Sequence, residues 1–176
     1  MTDKLSDEQL AQLFAKQEIT ERLAAYCRAM DRIDLDLARS VFHPDAVLDY
    51  GAMFTGSTDE FAEFIGAVHP AFEGHVHHLG SIGINVHGDE AGSEAYVISR
   101  LRSRMDDGTF SDFVSYGRYV DEWQRRQGIW RISRRHYLHV LDETRPITAP
   151  AFPAGGSRDR NDPVYGALER PGKQNS

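Results

Sequence analysis

The stretch VHHLGSIGINV, residues 76–86, lies where the sequence pattern changes from helical to extended. Before it, apolar side chains recur every three or four residues. From it onward they tend to alternate, which is typical of strands with one buried face. Three later stretches continue in this way and are separated by turn-forming residues: EAYVISRLRSRM, FSDFVSYGRYVDEWQRR and IWRISRRHYLHVL. We therefore predict four successive strands that begin at this stretch.

Upstream of these strands the sequence predicts helices. Ser6 is followed by two acidic residues, which is a typical helix start because the first turn favours a polar cap and negative charge. The predicted elements are, in order, a long helix ending near Asp31, a short helix over 35–42, a short strand over 46–51 and a helix over about 58–68. Helices followed by an antiparallel set of strands indicate an α+β fold.

The predicted strands are long enough to shape the whole domain. Strands of more than about ten residues coil unless they are bulged, so we predict a curved antiparallel sheet forming a cone-shaped barrel wrapped on the N-terminal helices. Residues 1–143 form this domain. Residues 144–176 are rich in Pro, Gly, Arg and Asp and are predicted to be an irregular tail, acting as a lid or as an inter-subunit arm.

Composition excludes several function classes. The 176 residues include 20 Lys and Arg but 27 Asp and Glu, and a net charge of −7 argues against nucleic-acid binding. The lone Cys27 excludes an intramolecular disulfide and a multi-cysteine zinc site, and its apolar helical context predicts a buried, inert thiol. The acidic stretch MTDKLSDEQL has no apolar segment typical of a secretory signal, and no apolar run reaches the roughly eighteen residues that cross a bilayer. We predict a cytoplasmic protein without a membrane partner.

Three histidines fall within four positions of GHVHHLGS, residues 74–81. In a strand His75 and His77 share one face and His78 points to the other. Two histidines could bind a metal together, but a zinc site needs a third ligand, and no HExxH motif is present. We therefore favour one working imidazole over a metal site, which remains the alternative for this cluster.

Three stretches in a fixed order are similar to a known family: AYCRAMDRIDLDLARSVFHPDAVLDYG, VHHLGS and YVDEWQRRQGIWRISRR. Together they span about residues 19–140 and resemble the SnoaL-like branch of the nuclear transport factor 2-like superfamily. Within it the resemblance is to dehydratases and dehydrohalogenases such as scytalone dehydratase, hexachlorocyclohexane dehydrochlorinase and bile acid 7α-dehydratase. Such enzymes use an aspartate at the end of the first helix and a histidine at the start of the first long strand. Asp31 and His77 occupy these positions.

The resemblance implies a lyase without a cofactor, acting on a hydrophobic, ring-bearing small molecule. His77 would be the general base and Asp31 the carboxylate that orients it. Tyr50, or Tyr26, would hydrogen-bond a substrate oxygen or a departing hydroxyl, and Arg135 would stabilise developing negative charge. Further substrate contacts are predicted for Tyr26, Tyr116, Tyr119 and Arg134, the last because a slip of one residue would exchange it with Arg135.

Other functions remain open at this stage, since a fold alone does not select a reaction. The same pocket could support a retro-aldol lyase that releases an aldehyde, a double-bond isomerase or a cyclase. A non-catalytic module that binds a small molecule is an alternative from a different class. The resemblance also implies a homo-oligomer, with a trimer favoured over a dimer.

Overall fold

The computed structural model describes residues 4–168, and its elements follow the predicted order. In chain order they are α1 (Asp7–Arg32), α2 (Leu35–Val41), β1 (Phe42–Asp49), β2 (Thr55–Ser57), α3 (Thr58–Val68), a 3₁₀ turn (His69–Ala71), β3 (Gly74–His87), β4 (Glu90–Arg104), β5 (Phe110–Arg126), β6 (Ile129–Ile147) and α4 (Pro163–Leu168). The helices precede four long strands, so the predicted α+β class is confirmed.

The strands form one six-stranded sheet in the order β2-β1-β6-β5-β4-β3. All neighbouring pairs are antiparallel except β1 and β6, which run parallel. A parallel pair needs a long crossover connection, and the chain from α3 to β5 supplies it here. Within the described residues β2 and β3 are the two edges of the sheet. The cone predicted from the sequence is therefore a curved, mixed sheet that does not close.

Bulges bend the long strands around the helices. The strands β3 to β6 are 14 to 19 residues long, and the pairing register shifts between Gly80 and Ile82, between Tyr116 and Gly117, and at one further point of β5. Each bulge increases the local twist, so a long strand coils instead of staying flat. This coiling places side chains of several strands around one cavity at the concave face.

The helix α1 fills the concave face of the sheet. Its start is capped by Ser6, which forms a reciprocal capping box with Gln9. Its buried side is apolar and packs against β3 and β6. Cys27 lies on this side, and burial raises the pKa of its thiol to about 12. The predicted burial of this thiol is confirmed.

The helix α1 ends one residue after Asp31 at a left-handed C-cap. Ile33 adopts the left-handed conformation with φ 56°, and its N–H bonds back to the helix. That conformation is unfavourable for a β-branched residue. Asp34 then caps α2 by accepting the N–H of Leu37 at 3.0 Å. Only two residues therefore connect the helices, and Asp31 lies in the last turn of α1, beside β3.

The C-terminal tail contains more regular secondary structure than predicted. Strand β6 continues to Ile147, beyond the predicted boundary at residue 143, and residues 163–168 form α4, so the prediction of a wholly irregular tail is wrong. Asp162 anchors this segment by an ion pair with Arg32 at 3.3 Å. Residues 169–176 of the tail lie outside the described residues. Among residues 4–168 no helix is long and apolar enough to cross a bilayer.

The face of the sheet that points away from α1 is rich in exposed apolar side chains. These include Val76, Tyr96, Ile98, Val120 and Leu141, each between 39% and 58% exposed. They come from four adjacent strands and therefore form a broad surface. The homo-oligomer implied by the sequence stays a prediction.

Candidate active site

A carboxylate and an imidazole meet where the end of α1 faces the start of β3. The Nδ1 atom of His77 lies 2.7 Å from Oδ1 of Asp31, and the backbone N–H of His77 donates to Oδ2 at 3.2 Å. The two side chains are only 9% and 24% exposed. Because the Asp31 carboxylate accepts a hydrogen bond from Nδ1–H, the neutral imidazole keeps its lone pair on Nε2. His77 is therefore held in the tautomer of a base.

The imidazole of His77 forms part of the wall of a cavity of about 110 Å³. Most of the other wall residues are apolar and come from α1, the β1–β2 connection, α3 and the concave face of the sheet: Met30, Met53, Phe54, Phe61, Phe64, Ile65, Leu101 and Phe113. A hydrophobic cavity with few polar groups is the usual form of a small-molecule site. Its apolar wall also lowers the local dielectric constant, which strengthens each polar contact inside it.

Two tyrosines from separate elements meet at the inner end of this cavity. The hydroxyls of Tyr26 on α1 and Tyr50 after β1 lie 2.7 Å apart, and both residues line the cavity together with Tyr119. Burial raises the pKa of Tyr26 and Tyr119 well above the usual value and also raises that of Tyr50. The phenols therefore stay neutral and can donate hydrogen bonds to a ligand oxygen. The predicted placement of Tyr26, Tyr50 and Tyr119 agrees with the structure.

Arg135 points inward, but it does not reach the cavity. It is fully buried and binds both carboxylate oxygens of Asp121 at 2.7 Å. Its guanidinium lies 4.2 Å from the ring centre of Tyr26 and 4.0 Å from that of Tyr119. The nearby Asp121 carboxylate holds the pKa of Arg135 well above its usual value against the cost of burial. The predicted direct contact with a substrate anion is therefore corrected, because aromatic rings separate this charge from the cavity.

Two other predicted substrate contacts are wrong because their side chains leave the concave face. Tyr116 donates its hydroxyl to Glu143 at 3.0 Å and does not line the cavity. Arg134 is 56% exposed and lies 3.9 Å from Glu122. Both residues occupy strand positions that alternate with the inward-facing Tyr119 and Arg135, so their side chains lie on the opposite face.

Comparison with known proteins gives the chain a family. A model of the SnoaL-like domain matches residues 11–136, which is most of the chain. The chain belongs to the SnoaL-like family. An uncharacterized protein of Mycobacterium tuberculosis is 29% identical over 129 residues, which cover 72% of this chain and 86% of the relative.

Solved structures with the same fold include proteins described as lyases. A putative scytalone dehydratase from Novosphingobium aromaticivorans is 20% identical with a TM-score of 0.67, over 81% of this chain and 97% of that one. A hexachlorocyclohexane dehydrochlorinase from Novosphingobium barchaimii is 17% identical with a TM-score of 0.68, over 82% and 98% of the two chains. At these identities the likeness shows the fold that this SnoaL-like protein shares with them.

The three clustered histidines of the SnoaL-like protein have three different environments. His77 lines the cavity, and His78 is exposed on the other face of β3. His75 is buried and stacks on His69 with ring centres 4.6 Å apart. Its Nδ1 accepts a hydrogen bond from Arg158 of the tail at 3.2 Å. The predicted sharing of one face by His75 and His77 agrees with the structure.

The buried histidine pair makes this protein sensitive to acid. Burial, more than neighbouring charge, lowers the pKa of both His69 and His75 from 6.5 to about 4. The unfolded chain therefore binds protons between these values while the folded chain does not. We expect the free energy of unfolding to fall as the pH drops from 6.5 to about 4, by on the order of 3 kcal/mol for the pair, and this contribution to level off below that range.

Urea unfolding at several pH values measures this effect. The variant His75→Phe keeps a ring that stacks on His69 but cannot take a proton, so its loss of stability on acidification should be clearly smaller than that of the wild type. The matched control is His78→Gln, which changes an exposed histidine three residues along the same strand. An unchanged pH dependence in His75→Phe would contradict the prediction.

Sequence reasoning missed four polar residues that line the cavity: His69, Ser99, Ser115 and Tyr137. Alternation along a strand contained a signal for two of them. Ser115 lies four positions before Tyr119, and Tyr137 lies two positions after Arg135, so each shares a face with a residue that was predicted to point inward. His69 lies in a 3₁₀ turn, and no periodic pattern indicated its direction.

Proposed function

We propose that this SnoaL-like protein is a lyase that eliminates water or a similar leaving group from a ring-bearing small molecule. His77 is the general base and Asp31 its orienting carboxylate. The observation that carries the proposal is the 2.7 Å contact between Nδ1 of His77 and Asp31 at the wall of an apolar cavity. Such a contact directs the basic Nε2 atom away from the carboxylate and stabilises the imidazolium that forms when a proton is taken.

The reaction begins at a carbon next to a carbonyl. Nε2 of His77 removes the proton from this carbon, and negative charge develops on the carbonyl oxygen. One neutral hydroxyl of the Tyr26–Tyr50 pair donates to the other, and the remaining O–H is suited to donate to that oxygen. Arg135 acts through them, because its buried charge lies against the ring of Tyr26 and lowers the pKa of both phenols relative to burial alone. Arg135 is thus a positioning and electrostatic residue that does not touch the substrate.

The size of the cavity favours a small substrate. Its volume of about 110 Å³ is close to the ~150 Å³ of an engineered protein cavity that binds benzene. A single ring with short substituents fits this space if the half-exposed Met53 at its edge shifts outward. A four-ring steroid needs several times the volume, so we favour a monocyclic substrate over a steroid.

The similar solved structures support the proposed reaction class without deciding it. One is described as a putative scytalone dehydratase and another as a hexachlorocyclohexane dehydrochlorinase. Both names describe loss of a small leaving group from a cyclic molecule. Their fold is shared with this chain, and the Asp31–His77 pair provides the base that such an elimination needs.

The test uses 3-hydroxycyclohexanone, a monocyclic β-hydroxy ketone, as the probe in D₂O. Loss of water gives cyclohexenone, whose conjugated double bond is followed by ultraviolet absorbance. Deuterium uptake at the carbon beside the carbonyl reports proton removal even without elimination. We expect both signals above the rate without protein. Deuterium uptake without cyclohexenone would favour an isomerase, and the absence of both signals would contradict the proposal and leave a binding module.

A further inference from the structure

A second polar cluster begins inside the cavity and ends in solvent. Its members are Tyr137, Ser115, His139 and Asp142, which we call the Tyr137 arm. Tyr137 and Ser115 line the cavity and are only 8% and 6% exposed. The side chains of His139 and Asp142 are 46% and 47% exposed. The arm therefore connects the site of the proposed chemistry with bulk water.

The four side chains follow one another at hydrogen-bonding distances. The hydroxyls of Tyr137 and Ser115 are 2.7 Å apart. Oγ of Ser115 lies 3.4 Å from Nδ1 of His139, at the long end of the range, and Nε2 of His139 lies 3.0 Å from Asp142. Both hydroxyls can donate and accept at once, and an imidazole can hold a proton at either nitrogen. A proton can therefore pass along this chain of two hydroxyls, an imidazole and a carboxylate.

The backbone beneath Tyr137 is adapted to hold this ring in place. A Cβ atom on Gly117 would lie only 2.3 Å from the Tyr137 ring. The ring also stacks on Tyr50 with centres 5.6 Å apart. A side chain at position 117 would displace the phenol from Ser115, so the glycine permits the contact on which the arm depends.

We propose that the Tyr137 arm is the proton donor to the leaving hydroxyl, with Tyr137 as the residue that contacts it. This inference rests on the proposed elimination. Tyr26 and Tyr50 are less suited to this task, because their hydroxyls bond to each other in the interior. The Tyr137 arm ends instead at a half-exposed imidazole that can take a new proton from water.

The proposed step balances in atoms and charge. The C–H bond breaks, its proton goes to Nε2 of His77, and its electron pair forms the C=C bond as the C–O bond breaks. The departing hydroxide takes the phenolic proton of Tyr137 and leaves as water. Tyr137 is reprotonated by Ser115, and Ser115 by the imidazolium of His139, which recovers its proton from solvent. His77 releases its proton to solvent after the product leaves.

A pair of substrates with different leaving groups tests this assignment. Hydroxide needs a proton to leave, whereas chloride leaves as a stable ion. The probes are 3-hydroxycyclohexanone and 3-chlorocyclohexanone, which both give cyclohexenone, with the rate in the absence of protein subtracted. We expect Tyr137→Phe to lower the dehydration rate roughly 10² times more than the dehydrochlorination rate, since a positioned acid contributes 10²–10⁴-fold. His77→Gln should lower both rates to a similar extent.

The outcomes separate this inference from the proposed function. Equal losses for both probes in Tyr137→Phe would show a structural role for the ring and overturn the inference alone, as would full dehydration activity. A wild-type protein that converts neither probe contradicts the proposed function and, with it, the inference.

The chain offers a matched control for the outer end of the arm. His139→Gln should reduce dehydration more than dehydrochlorination, in the same direction as Tyr137→Phe. His136→Gln alters another exposed histidine of β6, which lies 3.5 Å from Asp49 and lines neither the cavity nor the arm. It should leave the ratio of the two rates unchanged. Equal effects of the two histidine variants would overturn the path through His139.

A second measurement needs no substrate. The ring nitrogen resonances of His139 are recorded by NMR in the wild type, in Ser115→Ala and in Tyr137→Phe. We expect both variants to shift the Nδ1 resonance of His139 and to leave that of His136 in place, since only His139 shares hydrogen bonds with the altered hydroxyls. Unchanged His139 resonances in both variants would exclude a hydrogen-bonded connection from Tyr137 to His139, even if the enzyme is active.

Discussion

His77→Gln is expected to lower the rate of 3-hydroxycyclohexanone dehydration by roughly 10²–10⁴-fold, the usual contribution of a positioned base. Glutamine keeps a polar side chain of similar length that can still donate to Asp31, but its amide cannot accept a proton near neutral pH. The loss should appear in kcat more than in KM, because proton removal occurs in the transition state. Steady-state rates measured by ultraviolet absorbance provide the test.

Two further variants show whether the effect belongs to the Asp31–His77 pair. His78→Gln changes the neighbouring histidine on the exposed face and should retain the wild-type rate. Asp31→Asn should also lower the dehydration rate, since an amide no longer stabilises the imidazolium that forms. Retention of the full rate by His77→Gln would exclude this residue as the base.

Arg135→Met is expected to destabilise the fold by about 3–5 kcal/mol, the typical cost of leaving one partner of a buried ion pair without the other. Asp121 would remain fully buried, and no water could replace the two hydrogen bonds that it loses. Urea unfolding followed by circular dichroism measures the free energy. The double variant Arg135→Met/Asp121→Leu should recover much of the loss, because it removes both charges together.

An exposed ion pair serves as the control for this experiment. Arg126 and Asp45 lie 2.7 Å apart with side chains 43% and 66% exposed. Arg126→Met should have a much smaller effect, since water screens this pair and solvates the partner that remains. If Arg126→Met and Arg135→Met were equally destabilising, burial would not be the cause. If the double variant were no more stable than Arg135→Met, the loss would come from the packing of Tyr26 and Tyr119 around the guanidinium.

Several features of the site could be predicted because they follow from local backbone geometry. Alternation along a strand assigns His75 and His77 to one face and His78 to the other, and the structure agrees. The switch from helical to alternating pattern at residue 76 likewise predicted the transition from helices to the long strands. The family resemblance nominated Asp31 and His77 as a pair, and the two side chains are in contact.

Predictions were less successful where they depended on how deep a side chain lies or on contacts between residues distant in the chain. Arg135 was correctly expected to point inward, but alternation cannot tell whether an inward side chain reaches the cavity or stops behind a layer of tyrosines. For Tyr116 and Arg134 even the predicted face of the sheet was wrong. Each lies an odd number of positions from an inward-facing residue of its strand, so its side chain lies on the opposite face. The helix at 163–168 was not predicted. An ion pair between Asp162 and Arg32, 130 positions apart in the chain, helps to anchor this segment.

The spacing of apolar side chains predicts whether a segment is a helix or a strand and which of its faces is buried, because both properties depend on the few residues of one turn or one pleat. The meeting of Asp31 with His77, 46 positions apart, instead required α1 to end at the left-handed Ile33 and to pack against β3. The Tyr137 arm required bulged strands and a glycine at position 117. Such contacts arise only when curvature brings distant strands around one cavity, and no local pattern in the chain records that distance.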